Sequence, residues 1–259
     1  MFRFLKIIFL MCGISLVGCS TIQTPELSTF NARTTNDPID SWSQVLQDYV
    51  NDRGQIDFIG LSKKPEQLNH YVHYVSTIDP ETDLELFPDA NTKMAHHINA
   101  YNAVAMYGVI KLGIPRTNAG LKKVNFFYLK RYKIAGEIQS LYAYEEKIRE
   151  LGDPRVHFIL NCMSIGCPIL PRTPIQAEGL GDTLHQATID FFADPSKIRI
   201  DHDNKTVYFS EILKFYRDEF LTQADSLISY ANQYVSKDIP LDYKVKFIPY
   251  DWTINQTSP

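Results

Sequence analysis

"TKMAHHINAYNAVAMYGVIKL", residues 92–112, decides how this chain folds. Ala95, Ile98, Asn102, Ala105, Val109 and Leu112 recur at three- and four-residue steps, and Ala103, Met106 and Ile110 widen the stripe. The pattern predicts a helix that is apolar around much of its circumference, which places it in the middle of a core. Gly113 and Pro115 stop it. Asn102 falls within the stripe and Asn99 lies one turn earlier. A buried amide without a partner costs about 1–3 kcal/mol, so both are expected to be hydrogen-bonded. His96 and His97 are adjacent and point about 100° apart, so they are not a metal pair; one is expected at the surface and one partly buried.

The flanking segments give shorter elements. Ser41-Trp42-Ser43-Gln44 is a capping-box pattern, followed by apolar Trp42, Val45, Leu46, Tyr49 and Val50 and halted by Gly54. A strand is expected over 56–59, and a second helix opens at Pro65 and Glu66 with Leu68, Tyr71, Val72 and Val75 on its buried face. Beyond the long helix, 132–138 predicts a hairpin turning at Ala135-Gly136, 141–149 a helix, and 156–161 an interior strand apolar on both faces. A second hairpin, 198–200 and 207–209, flanks Asp203-Asn204-Lys205; Ser210 caps a helix to Phe220, and 245–248 is a last strand. Strands and helices are intermixed without βαβ alternation, so the class is α+β: one domain over 41–255, with a central buried helix and a mixed or antiparallel sheet.

Chemistry concentrates in "RVHFILNCMSIGCP", residues 155–168. A cysteine nucleophile needs a histidine base and a group to orient the imidazole, and Cys162 or Cys167, His157, and Glu145, Asn99 or Asn102 supply those types. On an extended strand an offset of five sets His157 and Cys162 on opposite faces, whereas a reversal at 163–166 returns Cys167 towards His157, so spacing favours Cys167. A Cys162–Cys167 disulfide stands beside the free-thiol alternative, since four intervening residues permit it. A structural zinc site wants four ligands and C-x2-C spacing, which are missing, and no cofactor motif appears: Gly179-Leu180-Gly181 lacks a third glycine. "KKVNFFYLKRYK", residues 122–133, interleaves basic and aromatic side chains. It suits either contact with anionic headgroups or a twisted hairpin with a solvated basic edge.

With 26 basic and 30 acidic residues the formal net charge is −4, which argues against a nucleic-acid partner. Arg3 and Lys6 precede an apolar run, 7–17, too short to span a bilayer, and residues 1–18 are expected to be a signal peptide. Leu16-Val17-Gly18-Cys19 resembles the lipobox of bacterial lipoproteins. That resemblance implies lipidation of Cys19, and Ser20 after it implies passage to the outer membrane with the domain facing the periplasm. Residues 19–40 are rich in Ser, Thr, Asn and Pro and are expected to be a tether. The compartment is then oxidising, and only Cys162 and Cys167 remain in the folded domain.

"INAYNA" at 98–103, "AGEIQSL" running into Tyr144-Glu145 and Arg149, "DPRVHFILNCMSIGCP" at 153–168, "SEILKFYRDEF" at 210–220 and "YDWTIN" at 250–255 together resemble the family of domain of unknown function 547, over nearly everything from Trp42 to Asn255. The resemblance implies no activity. It implies an exported lipoprotein among bacterial members. Because plant members typically keep a cysteine at the position of Cys162 and a serine at that of Cys167, it also implies Cys162 as the nucleophile, against the spacing. His96-His97 stand where the family usually has Phe-Trp. The expectation is therefore a thiol-dependent hydrolase or acyltransferase acting on an envelope peptide or polymer, with Tyr101, Ser164, Asp251 and Trp252 around its pocket. Its residue types are those of papain-like and transglutaminase-like enzymes. The alternative is a non-enzymatic envelope binding protein with the two sulfurs bonded.

Overall fold

Asp37 caps the first helix four residues ahead of the expected Ser41. In the computed structural model, which describes residues 20–26 and 37–257, the Asp37 carboxylate accepts from the Ile39 N–H, and Pro38 occupies a first-turn position where its missing N–H costs nothing. Residues 1–18 and Cys19 lie outside the described residues. Helix α1 (Pro38–Tyr49) buries Trp42, Val45 and Leu46, and Ser41 sits inside it with its hydroxyl 2.8 Å from His70 Nδ1. The strand expected over 56–59 is instead mostly helix α2 (Phe58–Lys63). Asp57 caps it by accepting from the Gly60 N–H at 2.8 Å, and only Ile56 makes bridge pairings. Helix α3 (Glu66–Thr77) buries the expected stripe.

The long helix is α4 (Ala90–Lys111), capped by Asp89 and buried without interruption from Met94 to Val109. Its amides serve the core. Asn99 accepts from the Trp42 indole at 3.2 Å and from the Ile175 N–H at 2.9 Å, while Asn102 accepts from the Asn161 N–H at 2.7 Å. His96 and His97 are both buried, contrary to the one-surface expectation, because α4 is enclosed on that side too: His96 lies among Tyr74 and Phe87, and His97 Nδ1 is 2.8 Å from the Tyr144 hydroxyl.

After α4, the twisted hairpin that was one of the two readings of residues 122–133 is met only over 130–133. Helix α5 (Leu121–Val124) runs into a π-helical turn (Asn125–Leu129) that turns Phe126 and Phe127 inward, and the strand starts only at Lys130. The fit is close: a Cβ on Gly108 would lie 2.4 Å from the Tyr132 hydroxyl. Strands β2 (Lys130–Ile134) and β3 (Glu137–Gln139) form the expected hairpin, with Ala135 and Gly136 both at positive φ as a tight two-residue turn demands. Segment Ser20–Thr21, expected within a tether, is strand β1 and pairs in parallel with β2, Ser20 opposite Lys130 and Thr21 opposite Arg131.

Helix α6 (Leu141–Arg149) matches its expected bounds. The interior strand expected at 156–161 is a 3-10 turn (Pro154–Phe158) followed by extended chain, because Asp153 accepts from the Arg155 N–H and Pro154 favours a helical start. Helix α7 (Leu180–Ala193) was not anticipated. Strands β4 (Ile198–Asp201) and β5 (Thr206–Ser210) form the second hairpin, and β6 (Lys244–Ile248) pairs in parallel with β5. The helix expected from Ser210 to Phe220 is broken at Tyr216 into α8 (Ile212–Phe215) and α9 (Arg217–Phe220), followed by α10 (Leu227–Ala231). Each three-stranded sheet combines one parallel and one antiparallel pairing, so the domain is α+β with two small mixed sheets.

Two apolar clusters divide the interior. One surrounds α4; the other gathers Phe158, Phe191, Phe192, Phe209, Phe220 and Tyr230 on the β4-β5-β6 sheet. The 3-10 turn lies at their seam, with Val156 in the first cluster and Phe158 in the second. Burying each such side chain contributes about 1.5–3 kcal/mol, so the turn is anchored from both sides.

Candidate functional site

A cavity of about 330 Å³ opens at that seam, lined among others by Glu145, Arg149, His157, Cys162, Cys167 and Tyr250. The two cysteines meet there because residues 163–166 reverse the chain. Asn161 fastens the base of the loop, accepting from the Met163 N–H and donating to the Pro168 carbonyl, both at 2.7 Å. Met163 adopts φ 69°, a left-handed conformation rare for a residue with a side chain. The chain's last described segment holds the outer edge: Ile165 N–H donates to Thr253 O, Gly166 N–H to Asp251 O, and Asn255 N–H to Met163 O.

The sulfurs are free thiols 2.8 Å apart. The Tyr250 hydroxyl lies 2.9 Å from Cys167 Sγ and 3.2 Å from Cys162 Sγ, and the Cys162 N–H donates to Cys167 Sγ at 3.0 Å. Their environments differ. Burial pushes the Cys167 thiol up, but donors converging from the Cys162 thiol, the Tyr250 hydroxyl and the backbone N–H groups of Ser164 and Cys162 outweigh it and bring it below the ordinary thiol value. Burial raises Cys162, and its neighbour Cys167 raises it further. Behind the loop, Lys197 donates to the Ile165 carbonyl at 2.9 Å; burial lowers this ammonium's pKa while Cys167 opposes the shift.

His157 faces a different partner from the one spacing suggested. Its Nε2 is 2.8 Å from Glu219 Oε2, and its ring stacks on Tyr216 with centroids 3.6 Å apart. Glu219 is clamped by Arg149 as well, at 2.7 Å from Nε and 2.5 Å from Nη2. Burial alone would raise the Glu219 carboxyl, yet His157 and Arg149 together hold it below the usual range. An ionised carboxylate only accepts, so in the neutral ring Nε2 carries the proton and Nδ1 is left as the acceptor. No hydrogen bond joins His157 to either sulfur, although all three line one cavity.

Glu145 therefore does not orient the imidazole as expected. It accepts from the hydroxyls of Tyr101, at 2.7 Å, and Tyr216, forming a buried carboxylate bracket on the cavity wall. Asn99 and Asn102 are structural: their amides are consumed by Trp42, Ile175, Ile159 and Asn161, and neither lines the cavity. Tyr101 and Trp252 do line it. Ser164 is a buried member of the thiol loop, close enough to Cys162 to favour its ionised form without a well-aligned hydrogen bond. Asp251 is exposed and caps the Thr253 N–H, and β6 lies against β5 rather than residues 156–161, so Asp251 supplies no orienting carboxylate. Sequence reasoning missed Glu219, Tyr216 and Tyr250, although all three stand in the stretches that carry the resemblance.

From α4 through the thiol loop into α7, one unbroken run of sequence supplies both sulfurs, the imidazole, Glu145 and Tyr101. Residues 87–192 match the model of the family described as "Protein of unknown function, DUF547". The DUF547 match is shorter than the resemblance drawn over 42–255, and it leaves Tyr216, Glu219 and Tyr250 outside it. No curated protein and no solved structure matches the chain.

Proposed function

We propose that the chain is a lipid-anchored envelope protein whose domain performs thiol-dependent acyl hydrolysis or transfer, with Cys167 as nucleophile. The observation that carries this reading is the set of donors converging on Cys167 Sγ within a cavity that His157 also lines. The Cys167 sulfur attacks an acyl carbonyl carbon, forming a C–S bond as the C–N or C–O bond breaks. The thiol proton passes by way of His157 to the departing amine or alcohol. Water or an acceptor amine or hydroxyl, deprotonated by His157, then cleaves the thioester and restores the thiol. Glu219 and Arg149 hold the imidazole in the tautomer this needs, and Tyr250, which burial and the neighbouring sulfurs keep protonated, is a donor beside the reacting sulfur. The envelope location rests on the signal-like residues 1–18 and Cys19, with the outer membrane indicated by Ser20. Among the described residues no helix is long and apolar enough to cross a membrane.

The test uses activated acyl thioesters and aryl esters with intact-mass detection. An acyl adduct is expected on the native protein and on Cys162→Ser but not on Cys167→Ser. His157→Ala is expected to slow turnover by about 10²–10⁴-fold. Adduct on Cys162 alone, or none on either residue, overturns the assignment.

The 2.8 Å approach of the two sulfurs favours one competing reading, a non-enzymatic envelope binding protein. There an oxidising partner's disulfide would remove two electrons and two protons and bond Cys162 to Cys167. Thiols that alkylate only after reduction, in protein isolated from the envelope, would favour it.

A further inference from the structure

The N-terminal segment, expected to be a loose tether, is held against the domain. Ser20 and Thr21 pair with Lys130 and Arg131, the Ile22 N–H donates to Arg131 O at 2.8 Å, and the Tyr107 hydroxyl donates to Gln23 O at 2.7 Å. Lys130 also donates to the Ser20 hydroxyl. A further contact joins His73 Nδ1 and Pro25 O at 2.8 Å. Residue 20 is therefore fixed beside the start of β2, and Lys130 directly follows the π-helical turn whose Phe127 and Tyr128 line the thiol cavity. Two residues of chain plus one interstrand step put Ser20 within roughly 12 Å of Tyr128. A lipid on Cys19 would enter the bilayer one residue before Ser20, so the bilayer surface must pass close to that rim.

The rim has matching chemistry. Leu121 is 88 % exposed, and Val124 and Phe215 are 44 % and 42 % exposed; Phe215 belongs to the aromatic wall of the cavity, as does Lys123 between the other two. Lys122, Lys123, Lys130, Arg131 and Lys133 lie on the same stretch, and none is ion-paired among the described residues. No acidic residue occurs between Asp89 and Glu137, in a chain whose net charge is −4. Lys123 lies over the Trp252 and Phe215 rings instead, and cations without acidic partners, interleaved with exposed apolar side chains, are what a surface of anionic phospholipid holds, the cations at the headgroups and the apolar groups at the acyl boundary.

We infer that the 121–131 rim docks on the anchoring membrane, so that the thiol cavity opens towards lipid headgroups rather than away from them. This rests on the lipid anchor at Cys19 proposed above, and not on the thiol chemistry. It also points to substrates whose acyl group is presented at the membrane surface.

The full lipidated chain carrying Leu121→Trp is reconstituted in phosphatidylcholine–phosphatidylglycerol vesicles with brominated acyl chains, beside Leu241→Trp, which replaces an exposed leucine outside the rim. Emission from position 121, read against the parent protein, is expected to shift to the blue and to be quenched, while that from 241 is unchanged. Val124→Trp repeats the reading should Leu121→Trp fold poorly. Vesicle-bound protein with no quenching at 121 and 124, or with equal quenching at 241, overturns the docking while leaving the anchor intact. Protein that fails to sediment with the vesicles overturns both.

Discussion

Cys162 and Cys167 share one hydroxyl partner yet are driven in opposite directions, the first kept protonated and the second eased towards thiolate. An ordinary cysteine titrates near 8.5, so Cys167 ionises at lower pH and its reactivity falls only as pH drops through that lowered value. Iodoacetamide at neutral pH is therefore expected to label Cys167 before Cys162, with a rate that inflects below about 8.5; peptide mapping of a pH series checks this. Equal labelling of both would remove the distinction. Glu219 acts one step away. Glu219→Gln retains the size of the side chain but removes the charge that Arg149 and His157 share, and is expected to lower turnover by about 10²-fold and to alter the pH profile while the Cys167 labelling rate stays unchanged. A loss of labelling too would show a merely structural role.

At the level of elements, the thiol loop and the C-terminal segment are packed so closely that Gly166 has no room for a side chain: a Cβ there would meet the Tyr250 ring at 2.7 Å. Gly166→Ala is expected to push Tyr250 off the sulfurs, costing about 1–3 kcal/mol and slowing Cys167 labelling, as urea unfolding and alkylation rates would report. The elements legible in sequence were those with a periodic stripe or a definite turn: α3, α4, α6, both hairpins and β6. The run Val156-His157-Phe158-Ile159-Leu160 was not, since a short apolar stretch does not distinguish a strand from a buried helical turn. Asp153-Pro154 ahead of it carried the deciding signal. Helix α7 had its stripe as well, in Leu180, Leu184, Thr188 and Phe191, but opens on Gly179 without a side-chain cap. The site was half legible. Residue types located the sulfurs and the imidazole, while the orienting Glu219 comes from a helix 62 residues further on, a pairing that no local spacing encodes.

Over the whole molecule, burial of α4 links stability to pH. Burial, and His97 beside it, lower His96 from 6.5 to about 3. The unfolded chain thus takes up the proton first, so the stabilisation is complete above about pH 6.5 and is lost progressively as pH falls towards 3. At about 1.4 kcal/mol per pH unit, moving from pH 7.5 to 5 is expected to remove about 2 kcal/mol. Denaturant titrations at the two values measure it. His96→Phe, an aromatic ring with nothing to protonate, is expected to flatten that dependence; an unchanged slope would assign the acid sensitivity elsewhere.

The clasp formed by residues 250–255 makes the thiol site depend on long-range closure of the chain. The segment that braces Met163, Ile165 and Gly166, and the phenol that bridges both sulfurs, reach back over 88 residues to Cys162 and 83 to Cys167. A chain in which this segment is undocked thus carries two cysteines with no tuned thiolate between them. The lowered thiol pKa of Cys167 therefore belongs to the docked arrangement alone, and each local opening of the clasp removes it.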